Sequence, residues 1–345
     1  MGSGLRAHIG SFTSAGGRGI TTAAVDPATG GLTPLSVSDA VADPSYLALS
    51  ADGGVLYAVS ESERGAVQAF RTSAGGGLTV LGPAAPVGGS GPTHLSVAGR
   101  RLFTAHYTTG GVGALPLAPD GRISGAATVV RHRGSGPDPD RQGGPHAHQV
   151  LPDPGGRWVL GVDLGTDSVR VYGARDPELR LHAETALSAG NGPRHLAFHP
   201  DGEAVYVLGE LRPLLTVCRW DAAAGRLEVV GEVPVAQEAA PGAVRAYPSA
   251  VVVAPDGRFV WAAVRGADTI AVLSLADGPL LPRPTACVPS GGHWPRDLAL
   301  GPAGRLYAAH ERSGDVTWFD VDPATGRPHR AGSLAVPAAT CVVFG

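Results

Sequence analysis

Short apolar runs, many of them alternating apolar and polar positions, are separated by Gly, Pro and Asp along almost the whole chain. Such alternation is typical of half-buried β-strands, and the breakers between the runs are typical of tight turns. No segment shows the apolar spacing of an amphipathic helix. The pattern therefore predicts an all-β protein built from many short strands.

A unit made of a strand, a turn centred on glycine and a second strand recurs along the chain. Its turn glycines are Gly53, Gly99, Gly156, Gly202, Gly257 and Gly304. Each copy continues with a third alternating strand, and several continue with a short fourth strand. Four antiparallel strands in a repeat of this length are typical of a β-propeller blade.

The two ends of the chain supply a further blade. Residues 6–37 have the pattern of three strands, and residues 337–345 match the innermost strands of the other copies. Closing the ring with strands from both ends removes exposed sheet edges. We therefore predict a seven-bladed β-propeller with four antiparallel strands per blade. It forms one domain over residues 1–345, in place of the two that length alone suggests.

Polar residues gather at one end of the repeat. The start of the first strand and the end of the second lie at the same sheet edge, because the two strands are antiparallel. The first strand of a blade is innermost, so these positions surround one opening of the central channel, here called the mouth. The strand starts carry Ser45, Thr93, His148, Arg194, Ser249 and Arg296, and the strand ends carry Glu61, Tyr107, Asp163, Glu210, Arg265 and Glu311.

The mouth is predicted to bind a small anionic molecule. Arg side chains hold carboxylates and phosphates through paired hydrogen bonds, and a concave opening lined in this way is a candidate binding site. His146, His195 and Trp294 adjoin the ring and are further candidates. The alternative is that these residues are ordinary solvated strand ends without a function.

The charge composition excludes several classes of protein. All 27 basic residues are Arg, which excludes a Schiff-base lysine and a P-loop lysine. A net charge of −3 provides no basic surface for nucleic acid or for an anionic membrane. No apolar run could span a bilayer, and the N-terminal residues lack the apolar core of a signal peptide. We therefore expect a cytoplasmic protein, favour a monomer, and expect its three cysteines to be reduced and buried.

Four segments resemble the seven-bladed lactonase propellers, the bacterial 6-phosphogluconolactonase family, which also includes a fungal cyclising enzyme for carboxy-cis,cis-muconate. They are H-A-H-Q at 146–149, D-L-G-T-D at 163–167, G-P-R-H at 192–195 and W-P-R-D at 294–297. The resemblance covers essentially the whole chain and implies a reaction on a lactone without a cofactor. It implies catalytic roles for His148, Arg194, Glu210 and Arg265, all of which already belong to the predicted ring.

The sequence departs from the family pattern around these residues. Gly209 and Val264 stand where the family often has Asn, and Ala250 and Val252 stand where it often has Glu and His. Three further mouth positions that are often Asn in the family are Ser60, His106 and His310. These departures favour a lactone other than a housekeeping sugar phosphate.

Lactone hydrolysis is the first functional hypothesis. His148 or Glu210 would activate water, Arg194 and Arg265 would hold the substrate anion and the oxyanion, and Arg296 would bind a remote carboxylate or phosphate. The remaining predicted binding residues are His146, Glu61, Tyr107, His195 and Glu311. The same groups could instead catalyse ring closure or opening of an unsaturated acid, as an isomerase or lyase. A propeller that binds a partner without catalysis is the third hypothesis.

Two weaker signals lie near the H-A-H-Q segment. His146 and His148 lie on one face of a strand and could begin a metal site with Asp163. A further ligand is not defined, so we predict no metal. Residues 131–145 form the longest polar loop, which is either a lid over the mouth or a plain surface loop.

Overall fold

Antiparallel strands make up most of the computed structural model, which describes residues 4–236 and 244–345. The chain begins with β1 (Arg6–Ser11), β2 (Ile20–Val25) and β3 (Leu32–Ser38). The next sheet contains β4 (Leu47–Leu49), β5 (Val55–Ser60), β6 (Ala66–Thr72), β7 (Leu78–Val80) and β8 (Ala85–Pro86). The third contains β9 (Pro92–Ala98), β10 (Arg101–His106), β11 (Gly111–Pro116) and β12 (Thr128–Arg131).

The remaining sheets repeat this arrangement. Two of them contain β13 (Ala147–Pro152), β14 (Trp158–Asp163), β15 (Ser168–Gly173), β16 (Leu181–Ala186), then β17 (Pro193–Phe198), β18 (Ala204–Gly209), β19 (Leu214–Asp221) and β20 (Arg226–Pro234). The last two in chain order contain β21 (Tyr247–Val253), β22 (Phe259–Arg265), β23 (Thr269–Ser274), β24 (Arg283–Pro289), then β25 (Pro295–Leu300), β26 (Leu306–His310), β27 (Asp315–Val321) and β28 (Pro328–Ala335). The final strand is β29 (Ala339–Phe344).

The ends of the chain close the ring as the sequence predicts. The sheet that contains β1, β2 and β3 is completed by β29, in the order β29-β1-β2-β3, with Ile9 opposite Val342. The innermost strands β4, β9, β13, β17, β21, β25 and β29 contact one another in turn around the centre. The seven-bladed all-β prediction is confirmed, with one addition, since β8 pairs with β6 as a fifth strand of its blade.

The hydrophobic core lies between neighbouring blades. Trp158 packs with Leu196, Val205 and Trp220 of the adjoining sheet, and Trp261 packs against strands of the next blade. The indole N–H groups of Trp158 and Trp261 donate to turn carbonyls of neighbouring blades, at 2.8 and 2.7 Å. These tryptophans therefore join the blades through both apolar contact and a hydrogen bond.

Helical structure is confined, in the described ranges, to the 3₁₀ turns Thr13–Ala15 and Pro302–Gly304. Neither turn has the length or the apolar character to cross a membrane. Cys218 and Cys341 are buried, but Cys287 is exposed on the outer strand β24, so the prediction of three buried thiols is wrong for that residue. One face of an outer strand is exposed to solvent, and the alternating pattern of β24 does not show that Cys287 lies on that face.

An irregularity at the start of the inner strands positions the mouth residues. Pairing with the second strand shifts register at His148, between Ala147 and Gln149, and at Arg194 and Arg296 in two other blades. Such β-bulges re-aim one side chain relative to the sheet. The repeat therefore places each of these side chains by the same local device.

The residues after two of these bulges help to join the blades. Gln149 Oε1 accepts a hydrogen bond from the Leu196 backbone N–H at 2.7 Å, and Asp297 Oδ2 accepts one from the Val342 N–H at 3.2 Å. Both donors belong to the inner strand of the next blade around the ring. These buried polar side chains therefore satisfy backbone groups and hold neighbouring blades together.

Substitution of Asp297 tests this inter-blade bond. Asp297→Ala is expected to lower the free energy of unfolding by about 1–3 kcal/mol, because the buried Val342 N–H loses its acceptor. Asp297→Asn keeps an acceptor oxygen and removes a buried carboxyl whose pKa is raised by burial. The amide is therefore expected to restore most of the stability in urea denaturation. Equal loss in both variants would show that the bond is not the cause.

Candidate active site

Three guanidinium groups surround the carboxylate of Glu210 at the mouth. Glu210 follows β18, and its Oε2 lies 2.7 Å from Arg265 Nη2 and 3.2 Å from Arg194 Nε. Its Oε1 accepts a hydrogen bond from Arg141 Nη2 at 2.6 Å. Glu210, Arg194 and Arg265 are all buried. The structure thus brings together three of the four residues that the resemblance implies, and adds Arg141 to them.

The charged groups in this cluster shift one another's pKa values. Burial alone would raise the pKa of Glu210, but Arg265, Arg194 and Arg141 together lower it to about 2. Burial and the nearby Arg265 and Arg296 lower the pKa of Arg194 to about 9, which leaves it charged at neutral pH. The cluster consequently holds three positive charges against one negative charge.

His148 lies beside the cluster as a neutral imidazole. Burial, followed by Arg194, Arg296 and Arg265, lowers the pKa of His148 well below its usual value. Its ring centroid is 5.4 Å from that of His195 and 5.8 Å from that of Tyr107. Its Nδ1 is buried and has no hydrogen-bond partner among the residues that the structure describes. This nitrogen is therefore not engaged by the described part of the protein.

A second charged group occupies the other side of the mouth. Arg296 Nη1 lies 3.3 Å from Glu311, and its Nη2 lies 3.6 Å from Glu61. Glu61 also accepts a hydrogen bond from Ser45. Here two carboxylates face one guanidinium, so this side carries no excess positive charge for an anion. The anion-binding character of the mouth is concentrated around Glu210.

Trp294 supports Arg265 from the outside. Its backbone has φ +66°, a left-handed conformation that is uncommon for a bulky residue. The guanidinium carbons of Arg265 and Arg312 lie 5.5 and 3.5 Å from the centre of its indole ring. The stacking holds Arg265 in place and adds a further cation at the rim.

His146 and His195 have different surroundings. His146 stacks on Tyr107 with ring centroids 4.6 Å apart, and its Nδ1 lies 2.8 Å from the Tyr107 carbonyl oxygen. His195 lies deeper, with its Nε2 3.4 Å from Arg194 Nη1. Burial and the neighbouring Arg194 lower the pKa of His195 well below its usual value. His146 therefore belongs to the wall of the mouth, and His195 to the layer beneath it.

Asp163 does not face the mouth, although the ring of strand ends includes it. Its Oδ2 is hydrogen-bonded to His132, and its Oδ1 accepts from the backbone N–H groups of His146, Gly165 and Thr166 at 2.9–3.1 Å. The carboxylate is fully buried and occupied in fixing the turn after β14. Over residues 4–236 and 244–345, no three His, Cys, Asp or Glu side chains are arranged to hold a metal ion.

Asn191 explains one departure from the family pattern. Its side chain is buried against Gly209, and its Nδ2 donates to Thr216 Oγ1 at 3.2 Å. A Cβ atom at position 209 would clash with Asn191 Oδ1. An Asn at 209 is therefore incompatible with Asn191 in this position.

Arg141 is the functional residue that sequence reasoning missed. It lies in the polar loop before β13, which the sequence identifies only as a lid or a surface loop. Its Nη2 also donates to the Tyr107 hydroxyl at 3.1 Å. The one signal for it was an Arg in the longest polar loop beside the H-A-H-Q segment.

Comparison with known proteins places this architecture and mouth in a family. The family model for Lactonase, 7-bladed beta-propeller, matches residues 6–344. The chain belongs to this lactonase family. The chain is 31% identical over 346 residues to the 6-phosphogluconolactonase of Bacillus subtilis, with 98% of this chain and 97% of the relative covered.

Solved structures agree with the family. A periplasmic gluconolactonase from Pseudomonas aeruginosa superimposes on this chain with a TM-score of 0.91 and 27% identity, covering 99% of this chain and 98% of the other. A Lactobacillus plantarum protein has a TM-score of 0.89 and 28% identity, covering 98% of both chains. The family and its relatives support lactone hydrolysis as the general class of reaction.

Proposed function

We propose that the protein hydrolyses a lactone that carries an anionic group, without a cofactor, at the mouth of the central channel. The observation that carries the proposal is the buried cluster of three guanidinium groups on one carboxylate, beside a neutral imidazole. Its excess positive charge favours both an anionic substrate and the anionic transition state of ester hydrolysis.

His148 is the general base in this proposal. Its lowered pKa keeps the imidazole neutral at pH 7, and its Nδ1 is not engaged by any residue of the described chain. Glu210 is a weaker base because both its oxygens already contact guanidinium groups and its pKa is about 2. A bound anion offsets part of the surrounding positive charge, which raises the His148 pKa toward the range of efficient proton transfer.

Arg194 and Arg265 stabilise the oxyanion. Water gives a proton to His148 as its oxygen adds to the lactone carbonyl carbon, and negative charge develops on the carbonyl oxygen. The ring C–O bond then breaks, and the ring oxygen takes the proton back from His148 to give an open hydroxy acid. Glu210 holds the guanidinium groups in position during both steps, because it contacts each of them.

Substitution of His148 tests this function. His148→Ala is expected to lower kcat/KM on a panel of lactones by about 10²–10⁴-fold, the range that general-base catalysis contributes. The fold is expected to persist, as measured by circular dichroism and thermal unfolding. His329→Ala, at an exposed position on β28, is the matched control and should hydrolyse the lactones at the wild-type rate.

Two results would contradict the proposal. A folded His148→Ala protein with full turnover would remove His148 as the base. A product with the mass of the substrate, in place of a mass increased by one water, would assign ring closure or opening in place of hydrolysis. Mass spectrometry of the product therefore accompanies the kinetic measurement.

A further inference from the structure

The loop that carries Arg141 is held firmly although it contains no strand. It comprises residues 132–146, between β12 and β13. Gln142 is fully buried, and its Nε2 donates to the Leu164 carbonyl at 2.8 Å and to Asp167 Oδ1 at 2.7 Å. The Gln142 backbone N–H donates to the Asp138 carbonyl at 2.8 Å. The loop is thus fastened to the blade directly beside Arg141.

The backbone of Arg141 is fixed by a tight turn. Asp138 Oδ1 accepts hydrogen bonds from the N–H groups of Asp140 and Arg141, both at 3.1 Å. Asp138 Oδ2 lies 3.8 Å from Nη1 of Arg245, which lies just before β21. The turn therefore presents the Arg141 side chain over the mouth from a defined position.

The Arg141 guanidinium is only partly used. A single nitrogen, Nη2, donates to both Glu210 Oε1 and the Tyr107 hydroxyl. Its Nε and Nη1 make no hydrogen bond with any residue in 4–236 or 244–345. The side chain is 32% exposed, whereas those of Arg194 and Arg265 are 3% and 8% exposed. Of the three arginines on Glu210, Arg141 is the most exposed to solvent.

The local charge leaves the Arg141 guanidinium without full compensation. Glu210 is shared among three guanidinium groups, so its single charge cannot neutralise Arg141. The Nη1 nitrogen carries two free N–H groups, which can donate charge-assisted hydrogen bonds to the oxygens of a carboxylate or a phosphate. Because Nη2 already holds Glu210, such a ligand can bind without breaking that contact.

We propose that Arg141 is an anion subsite of the mouth, which binds a carboxylate or phosphate attached to the lactone away from its reacting carbonyl. The inference rests on the proposed function and names the residue that recognises the remote anion. Arg194 and Arg265 serve the reacting carbonyl, and Arg141 Nη1 holds the remote anion. Arg141 thereby selects charged lactones over neutral ones.

The test compares three lactones that differ in the remote group. They are a neutral aldonolactone, the same lactone bearing a phosphate, and a lactone bearing a carboxylate. Arg141→Ala is expected to lower kcat/KM for the preferred charged lactone by about 10- to 100-fold more than for the neutral one. Arg141→Lys keeps the charge but loses the planar guanidinium. Its kcat/KM for the charged lactone is expected to lie between those of the wild type and Arg141→Ala. The phosphate and carboxylate arms show which anion the subsite takes.

The control is Arg133→Ala, on the same loop, with an exposed side chain. It is expected to act on all three lactones as the wild type does. An equal loss on charged and neutral lactones in Arg141→Ala would overturn the subsite and leave Arg141 as a positioning residue for Glu210. Unchanged kinetics on all three lactones would also overturn it.

A binding measurement separates failure of the subsite from failure of the proposed function. Calorimetric titration with 6-phosphogluconate and gluconate, the open acids of the phosphorylated and neutral lactones, needs no turnover. The subsite predicts that Arg141→Ala weakens binding of 6-phosphogluconate about tenfold or more, and weakens gluconate binding less. Equal weakening would overturn it. If the wild type hydrolyses no lactone, the proposed function fails while this titration still decides the subsite.

Discussion

Glu210→Gln is expected to destabilise the protein by about 3–5 kcal/mol and to reduce turnover by about 10²–10³-fold. The carboxylate is the buried counter-charge of three guanidinium groups, two of which are themselves buried. An amide of the same shape carries no charge, and its NH₂ group would face a guanidinium donor. The remaining cations then repel one another, and the oxyanion-binding arginines lose their fixed positions.

Urea denaturation and lactone kinetics measure the two effects. Glu311→Gln is the matched control, because Glu311 shares Arg296 with Glu61 and is more exposed, so its loss should cost less than about 1 kcal/mol. The double variant Glu210→Gln with Arg141→Gln is expected to regain part of the lost stability, since it removes one uncompensated charge. A Glu210→Gln protein as stable as the wild type would refute this role for Glu210.

The architecture could be predicted because each repeat is marked by a turn glycine, at a position where few other residue types fit. The turn glycines at the six anchor positions all have positive φ, from 57° at Gly99 to 77° at Gly202, where other residues are strained. Closure by both chain ends followed from counting strands, and β29 pairs with β1 as that count requires. The same repeat predicts that His148, Arg194, Glu210 and Arg265 lie at one sheet edge.

The composition of the site was less predictable for physical reasons. A strand-end position does not determine where a side chain points, and Asp163 turns inward to His132 and the following turn. Arg141 belongs to no repeat position, so only the folded loop brings it to Glu210. The bulges at His148 and Arg194 are backbone features that no residue type in those segments specifies.

Stability is expected to fall steeply as the pH drops below about 6.5, the usual pKa of histidine. Burial, with the nearby Arg6, lowers the pKa of His8 to about 4. Burial and neighbouring positive groups lower that of His94 to about 3 and that of His106 to about 4. His148 and His195 shift in the same direction for the same reasons. The unfolded chain binds protons at these histidines near pH 6.5, and the folded protein does not.

The sign of the effect follows from this difference in proton binding. The stabilisation is fully present above the unfolded pKa and is lost as the pH falls toward the folded pKa values. Each such histidine contributes about 1.4 kcal/mol per pH unit, so a group of five contributes about 7 kcal/mol per unit. Typical domains are stable by only about 5–15 kcal/mol, so unfolding is expected near pH 5.

Urea denaturation at half-unit steps from pH 8 to pH 5 measures the slope. His8→Gln keeps a side chain able to hydrogen-bond Thr22, whose Oγ1 lies 2.9 Å from His8 Nδ1, and removes one titrating group. Its free energy of unfolding should therefore fall less steeply than that of the wild type, by about 1.4 kcal/mol per pH unit. A stability that stays constant between pH 7 and pH 5 would show that these imidazoles become charged within the folded protein.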